Sequence, residues 1–253
     1  MTVVRLRRSV FRPSPVFVGL VAVWVAGGAM AWLEYGNATV NVLLFVLAGW
    51  VVSLSLHEFS HALLAFRAGD HSVAHRGYLT LNPLKYTHPL LSIVLPLLFL
   101  LLGGIGLPGG AVWVNHNAIR GRLRTSLVSL AGPGANLIFL VLLLIPFLIG
   151  VDTAAHRTFW AGVAFLAFLQ LTAFVLNLLP VPGLDGGNAL RPWLTGGAAK
   201  LFDVVAPFGL LILFGVLFVP ELNAVFWAIV DALTSAVGIP AGPVNRGFDL
   251  VQF

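Results

Sequence analysis

The sequence predicts an all-α polytopic membrane protein, and three observations carry that prediction. Hydrophobic residues fill 59% of the 253 positions and charged residues 9%, against roughly a quarter charged in an ordinary globular chain. So few charges cannot cover the surface of a soluble domain. Several apolar runs exceed the roughly 18–20 residues that cross ~30 Å of hydrocarbon. The basic residues, twelve Arg and two Lys for a net charge of +5, lie in short segments between those runs, where cations orient membrane helices. The partner expected from this pattern is a lipid bilayer and not nucleic acid, because no basic stripe is interleaved with exposed aromatics. Cysteine is absent, which removes disulfides, thiolate metal sites and cysteine nucleophiles.

The runs predict about 5–6 transmembrane helices. The first, 15–33, follows a basic leader of Arg5, Arg7, Arg8 and Arg12. Ala29-Met30-Ala31 has the small-residue look of a cleavage site, but the apolar stretch continues through Trp32 and is long enough to span. An uncleaved first helix with a cytoplasmic N-terminus is expected. Run 39–66 then returns the chain inward, to a loop carrying Arg67, Arg76 and Lys85.

Run 89–107 contains Pro96 and ends in Gly103, Gly104, Gly106, Pro108, Gly109 and Gly110. A full crossing there would place Arg120, Arg122 and Arg124 outside, against the positive-inside rule. The expectation is a re-entrant or surface-lying hairpin near 89–107, with a true span as the alternative. Runs 125–149 and 158–179 then go out and return, followed by 201–219 and a weaker run at 222–238. On this topology twelve of the fourteen basic residues are cytoplasmic, Arg157 is in an outer loop and Arg246 is in the tail.

The second run ends in His57-Glu58-Phe59-Ser60-His61. On a helix, positions i and i+4 share a face, so both imidazoles can reach one metal ion. Glu58 projects about 100° round the axis and can approach a water there as general base. These three titratable groups could instead bond between helices, but in hydrocarbon they cost several kcal/mol unless paired or metal-bound.

A zinc site needs a third protein ligand. Glu221, Asp231 and Asp203 lie in or near the last two runs, whereas Asp185 sits in Asn177-Leu178-Leu179-Pro180-Val181-Pro182-Gly183-Leu184-Asp185-Gly186-Gly187. Prolines and glycines break the helix there and let a carboxylate turn inward. If 89–107 is a hairpin, Asp185 returns to the side of His57 and His61; if it spans, Asp185 ends on the opposite side.

With these motifs the chain closely resembles the site-2 protease family of intramembrane zinc metalloproteases. The likeness rests on H-E-F-S-H at 57–61 and N-x-x-P-x-P-x-L-D-G at 177–186, with G-P-x-x-N at 132–136 and Gly77–Pro83 between them. It covers roughly residues 40–195. The resemblance implies that His57, His61 and Asp185 bind one Zn²⁺ per chain and that Glu58 activates water in an HExxH-type endopeptidase. The implied substrate is a transmembrane protein, cut within or beside its membrane segment. Asn136 and Asn177 are candidates to hold the substrate strand or the developing oxyanion, or else to bond helix to helix.

Residues 1–253 read as a single integral membrane metalloprotease domain, with a catalytic core at about 40–195 and C-terminal helices at about 201–238. It is a compact form, without the PDZ or appended regulatory domain of larger members. The expected location is a bacterial plasma membrane, with the active site towards the cytoplasmic side. The rival reading is a transporter or channel moving protons or metal ions on the same His, Glu and Asp. It predicts inverted repeats and polar groups spread through the membrane depth, and here they cluster at one level.

The remaining signals are weak. His71 and His75 share i, i+4 spacing but lie in a loop without an accompanying Glu. Trp32, Trp113, Trp160 and Trp193, at run ends or in loops, suit an interfacial belt, while Trp24, Trp50 and Trp227 suit packing or lipid contact.

Overall fold

Every regular element among the described residues is helical, as the apolar runs require of a chain that must satisfy its backbone within the bilayer. The structure is a computed structural model and describes residues 11–86 and 112–252. The hairpin expected at 89–107, together with His88, Arg5, Arg7 and Arg8, lies outside them.

Helix α1 spans Pro15–Trp32, with the Ser14 hydroxyl accepting from the Phe17 N–H at 3.1 Å and a proline opening the first turn. Helix α2, Ala38–Ala68, is capped by Asn37 in the same way. Helix α3, Arg122–Leu148, carries Pro133 and Pro146 inside it. Helix α4 spans Arg157–Leu178, and short α5 spans Asp185–Leu190. The run expected at 201–219 is composite: α6 (Gly196–Val205), a tight turn at Ala206–Phe208 and α7 (Gly209–Phe218). Pro207 interrupts it, since proline lacks the N–H of a regular turn. Helix α8 spans Pro220–Ala236 and α9 Ala241–Val251.

Among the described residues, five segments are long and apolar enough to cross a membrane: 15–32, 38–68, 122–148, 157–178 and 196–218. Helix α4 is the axis of the bundle, with 83% of its most apolar window buried, against 17% for α1 and 11% for 196–218. Its Phe165, Leu166 and Leu169 meet Val42, Val46 and Trp50 of α2 and Leu140 of α3 in the main core. A second cluster, Ala65, Val73, Leu79, Tyr86, Ile119 and Val128, packs under the loop that follows α2.

Contacts along the helices give their directions. Helix α1 is antiparallel to α2: Trp24 meets Phe45, and the Ser14 N–H donates to the Thr80 carbonyl at 2.8 Å. His57 and His61 of α2 meet Asn136 and Val128 of α3, so the start of α3 lies by the end of α2. The described chain therefore leaves at Tyr86 and re-enters at Val112 at one end of the bundle. Tyr86 donates to the Ser55 carbonyl there, and the Val112 N–H donates to Glu58.

Two details depart from the expected pattern. Trp160 is buried at 6% exposure among Trp32, Phe147 and Phe159, while Trp32, Trp113 and Trp193 are exposed as an interfacial belt requires. Helix α9 falls in no apolar run, because it is amphipathic. Val244, Gly247 and Val251 are buried, while Asn245, Arg246 and Asp249 are exposed.

Candidate metal centre

Helix α2 carries His57 and His61 one turn apart on its buried face, with their Nε2 atoms 3.1 Å apart. Asp185 arrives from the far end of the chain. After α4 stops at Leu178 the backbone doubles back, and Asp185 opens α5. A Cβ at Gly186 would overlap the Leu178 carbonyl, and one at Gly187 the Val181 carbonyl, so only glycine allows so tight a return. The Ser126 hydroxyl then fastens α5 to α3, donating to the Ala189 carbonyl at 2.6 Å and accepting from the Trp193 indole N–H at 2.8 Å. The result sets Asp185 Oδ2 3.2 Å from His57 Nε2 and Oδ1 3.3 Å from His61 Nε2.

The hydrogen bonds behind the rings determine what faces inward. His57 Nδ1 lies 2.5 Å from Asn136 Oδ1, and His61 Nδ1 lies 2.7 Å from the Val128 carbonyl oxygen. Both oxygens only accept, so each Nδ1 carries a proton and donates it. In the neutral rings both Nε2 lone pairs then point at each other and at Asp185, whose buried Oδ2 has no hydrogen-bond partner.

Such a concentration of acceptors demands a positive charge at its centre. Bonds of ~2.0–2.1 Å in a tetrahedral site put neighbouring ligand atoms about 3.3–3.4 Å apart, close to the spacings found. Two imidazoles and a carboxylate form a zinc donor set with the fourth position open. His57, His61 and Asp185 are the group able to hold a metal among the described residues. Gly132 keeps the space clear, since a Cβ there would collide with both Nε2 atoms.

Glu58 is buried beside this group, with Oε2 accepting from the Val112 N–H at 2.9 Å. Together they border a cavity of about 330 Å³, also lined by Asn136, Asn177, Val114 and His116. Asn136 spends its side chain on His57, Ser53 and Gln170. Asn177 lines the cavity while donating to the Ala173 carbonyl of its own helix at 3.0 Å. The other acidic candidates lie elsewhere: Asp203 pairs with Arg191 at 2.6 Å, Asp231 lines a second cavity, and Glu221 sits in the first turn of α8. His75 ends a single helical turn at Ser72–His75. Sequence reasoning does not single out His116, Val112, Ser53 or Gln170, which the fold brings to the cavity or to Asn136.

Comparison with known proteins adds independent information. The chain is 48% identical to a protein of Mycolicibacterium smegmatis provisionally named zinc metalloprotease Rip2, over 100% of this chain and 98% of the relative. Rip2 of Mycobacterium tuberculosis strain H37Rv is also 48% identical, over 98% and 96%. A Bacillus subtilis protein provisionally named zinc metalloprotease YwhC is 30% identical over 76% of this chain and 88% of its own length. No family model matches the chain, and no solved structure does.

Proposed function

The chain belongs to the site-2 protease family of intramembrane zinc metalloproteases, and on that premise we propose that His57, His61 and Asp185 hold its zinc while Glu58 is its general base. The protein is a zinc-dependent protease of the membrane. The observation that carries the residue assignment is the meeting of two Nε2 lone pairs and one carboxylate at 3.1–3.3 Å.

When bound, zinc supplies Lewis acidity to water and to the scissile carbonyl. Glu58 takes a proton from the attacking water and returns it to the leaving amine. The Val112 N–H anchors Oε2 of Glu58, so Oε1 is the oxygen that moves the proton. Asn136 orients His57, and Asn177 is left at the cavity wall to meet the substrate. The substrate is a transmembrane protein whose cleaved stretch must first unwind, because a helix locks its carbonyls in i→i−4 bonds.

The catalytic core occupies about 40–195 of a single membrane domain, in a bacterial plasma membrane with the site on the cytoplasmic side. Support comes from Arg67, Arg76, Lys85, Arg120, Arg122 and Arg124, which flank the site end of the bundle, while Arg157 starts α4 at the other. The test is zinc content of the purified chain, measured together with cleavage of a helix-destabilised transmembrane substrate. About one zinc per chain with cleavage is expected; a chain that binds no zinc sinks the assignment.

A further inference from the structure

Gln170 lies at the centre of the most buried helix with a relative exposure of 0%. Its Oε1 accepts from the Ser53 hydroxyl at 2.5 Å and from Asn136 Nδ2 at 2.8 Å, while Asn136 Nδ2 also reaches Ser53 Oγ at 3.2 Å. Its own Nε2 is buried without a hydrogen-bond partner. An aliphatic side chain of the same length would leave no orphaned amide in hydrocarbon, so the packing of α4 alone does not account for a glutamine. The oxygen does.

The polarity of the chain of bonds is set from the metal outward. His57 must keep Nε2 free, so Nδ1 carries the proton and Asn136 must present Oδ1 to it. That turns Nδ2 of Asn136 away from the metal, towards Gln170 and Ser53, where only an acceptor suits it. Gln170 supplies that acceptor, and the Ser53 hydroxyl, donating to the same oxygen, pins its orientation. We propose that Gln170 and Ser53 are positioning residues that act through Asn136 to fix the tautomer and aim of His57. All links are neutral, so the relay orients the ligand without adding charge to a site that already holds Glu58 and Asp185. The proposal rests on His57 being a zinc ligand.

The test measures zinc Kd by chelator competition on the full-length chain in detergent, with the thermal midpoint of the metal-free protein as a control for folding. Gln170→Leu is expected to weaken zinc binding about 10–100-fold, the range found when outer partners of metal ligands are removed. Ser53→Ala should weaken it less. Gln170→Glu keeps an acceptor oxygen in either protonation state and should restore affinity to within a few-fold of wild type. In an Asn136→Ala background, Gln170→Leu should cost nothing further, because its route to His57 is already cut. Cobalt substitution should show a shifted visible spectrum in Gln170→Leu.

The proposal is overturned if Gln170→Leu keeps wild-type zinc affinity, or if its loss is as large without Asn136 as with it; the second result would make Gln170 a packing residue. If wild type binds zinc and His57→Ala abolishes binding while Gln170→Leu does nothing, the relay alone fails. If His57→Ala is as tight as wild type, the zinc assignment fails with it.

Discussion

Gly132 faces His57 so closely that a single added methyl would collide with the ring nitrogen that points at the metal. The same methyl would strike His61 Nε2. Glycine inside a helix ordinarily costs about 0.5–1 kcal/mol relative to alanine, so this position gives up helix stability for empty space. Gly132→Ala should therefore raise the zinc Kd by more than about 100-fold, since both imidazoles must move, and remove proteolysis with it. Zinc stoichiometry and far-UV circular dichroism check this together. Full zinc occupancy in a folded Gly132→Ala protein would show that the ligand geometry is wrong.

Glu58 and Asp185 separate chemistry from binding. Glu58 bonds to Val112 rather than to the three-ligand group, so Glu58→Gln should bind about one zinc and lose roughly 10²–10⁴ in kcat. Asp185→Ala removes one of three ligands and should lose zinc at micromolar chelator concentrations that leave Glu58→Gln loaded. Equal zinc affinity in the two variants would contradict the assigned roles.

The legible part of this site was the part encoded by local geometry. His57, Glu58 and His61 declare themselves by spacing on one helix, and Asp185 by the prolines and glycines that end α4. The Gln170–Asn136–Ser53 link depends on the rotational phase of three packed helices, and no periodicity in the chain reports that. Its one local signal is an amide in the middle of an apolar run, which costs enough in hydrocarbon to demand a reason. Helix α9 escaped because Asn245, Arg246 and Asp249 dilute its apolar face, and Trp160 because nearness to a run end says nothing of which side of the helix is covered. The helix limits were readable to within a few residues, except where Pro207 splits the last span.

Asp70 joins the end of α2 to the segment that reaches Glu58. It is buried, with Oδ1 accepting from the Ser72 N–H at 3.0 Å and the Ser72 hydroxyl at 2.6 Å, and Oδ2 accepting from the Asn115 N–H at 2.8 Å. Asp70→Ala strands these donors, at about 1–3 kcal/mol for each that stays buried. Residues 112–118 should loosen and Val112 should lose its register on Glu58. The expected outcome is faster hydrogen exchange at 112–118 and a several-fold fall in kcat/KM with zinc content unchanged. Unaltered exchange at Asn115 would refute the coupling.

The absence of native cysteine lets the topology be read with single introduced thiols. Tyr86 and Val112 both contact the site end of α2, so the two described residues on either side of 87–111 lie at one end of the bundle. The exposed positions Lys85 and Arg120 flank that stretch, whereas exposed Tyr35 and Asp152 sit at the other end of the bundle. In intact bacterial cells an impermeant maleimide should label Tyr35→Cys and Asp152→Cys, and should reach Lys85→Cys and Arg120→Cys only after lysis. A positive-inside orientation requires that order, with Arg67, Arg76, Lys85, Arg120, Arg122 and Arg124 among the basic residues at the site end. Labelling of Lys85→Cys and Arg120→Cys from opposite faces would mean that 89–107 crosses the bilayer. Asp185 and His57 would then lie on opposite sides, and the shared metal site would fall with the topology.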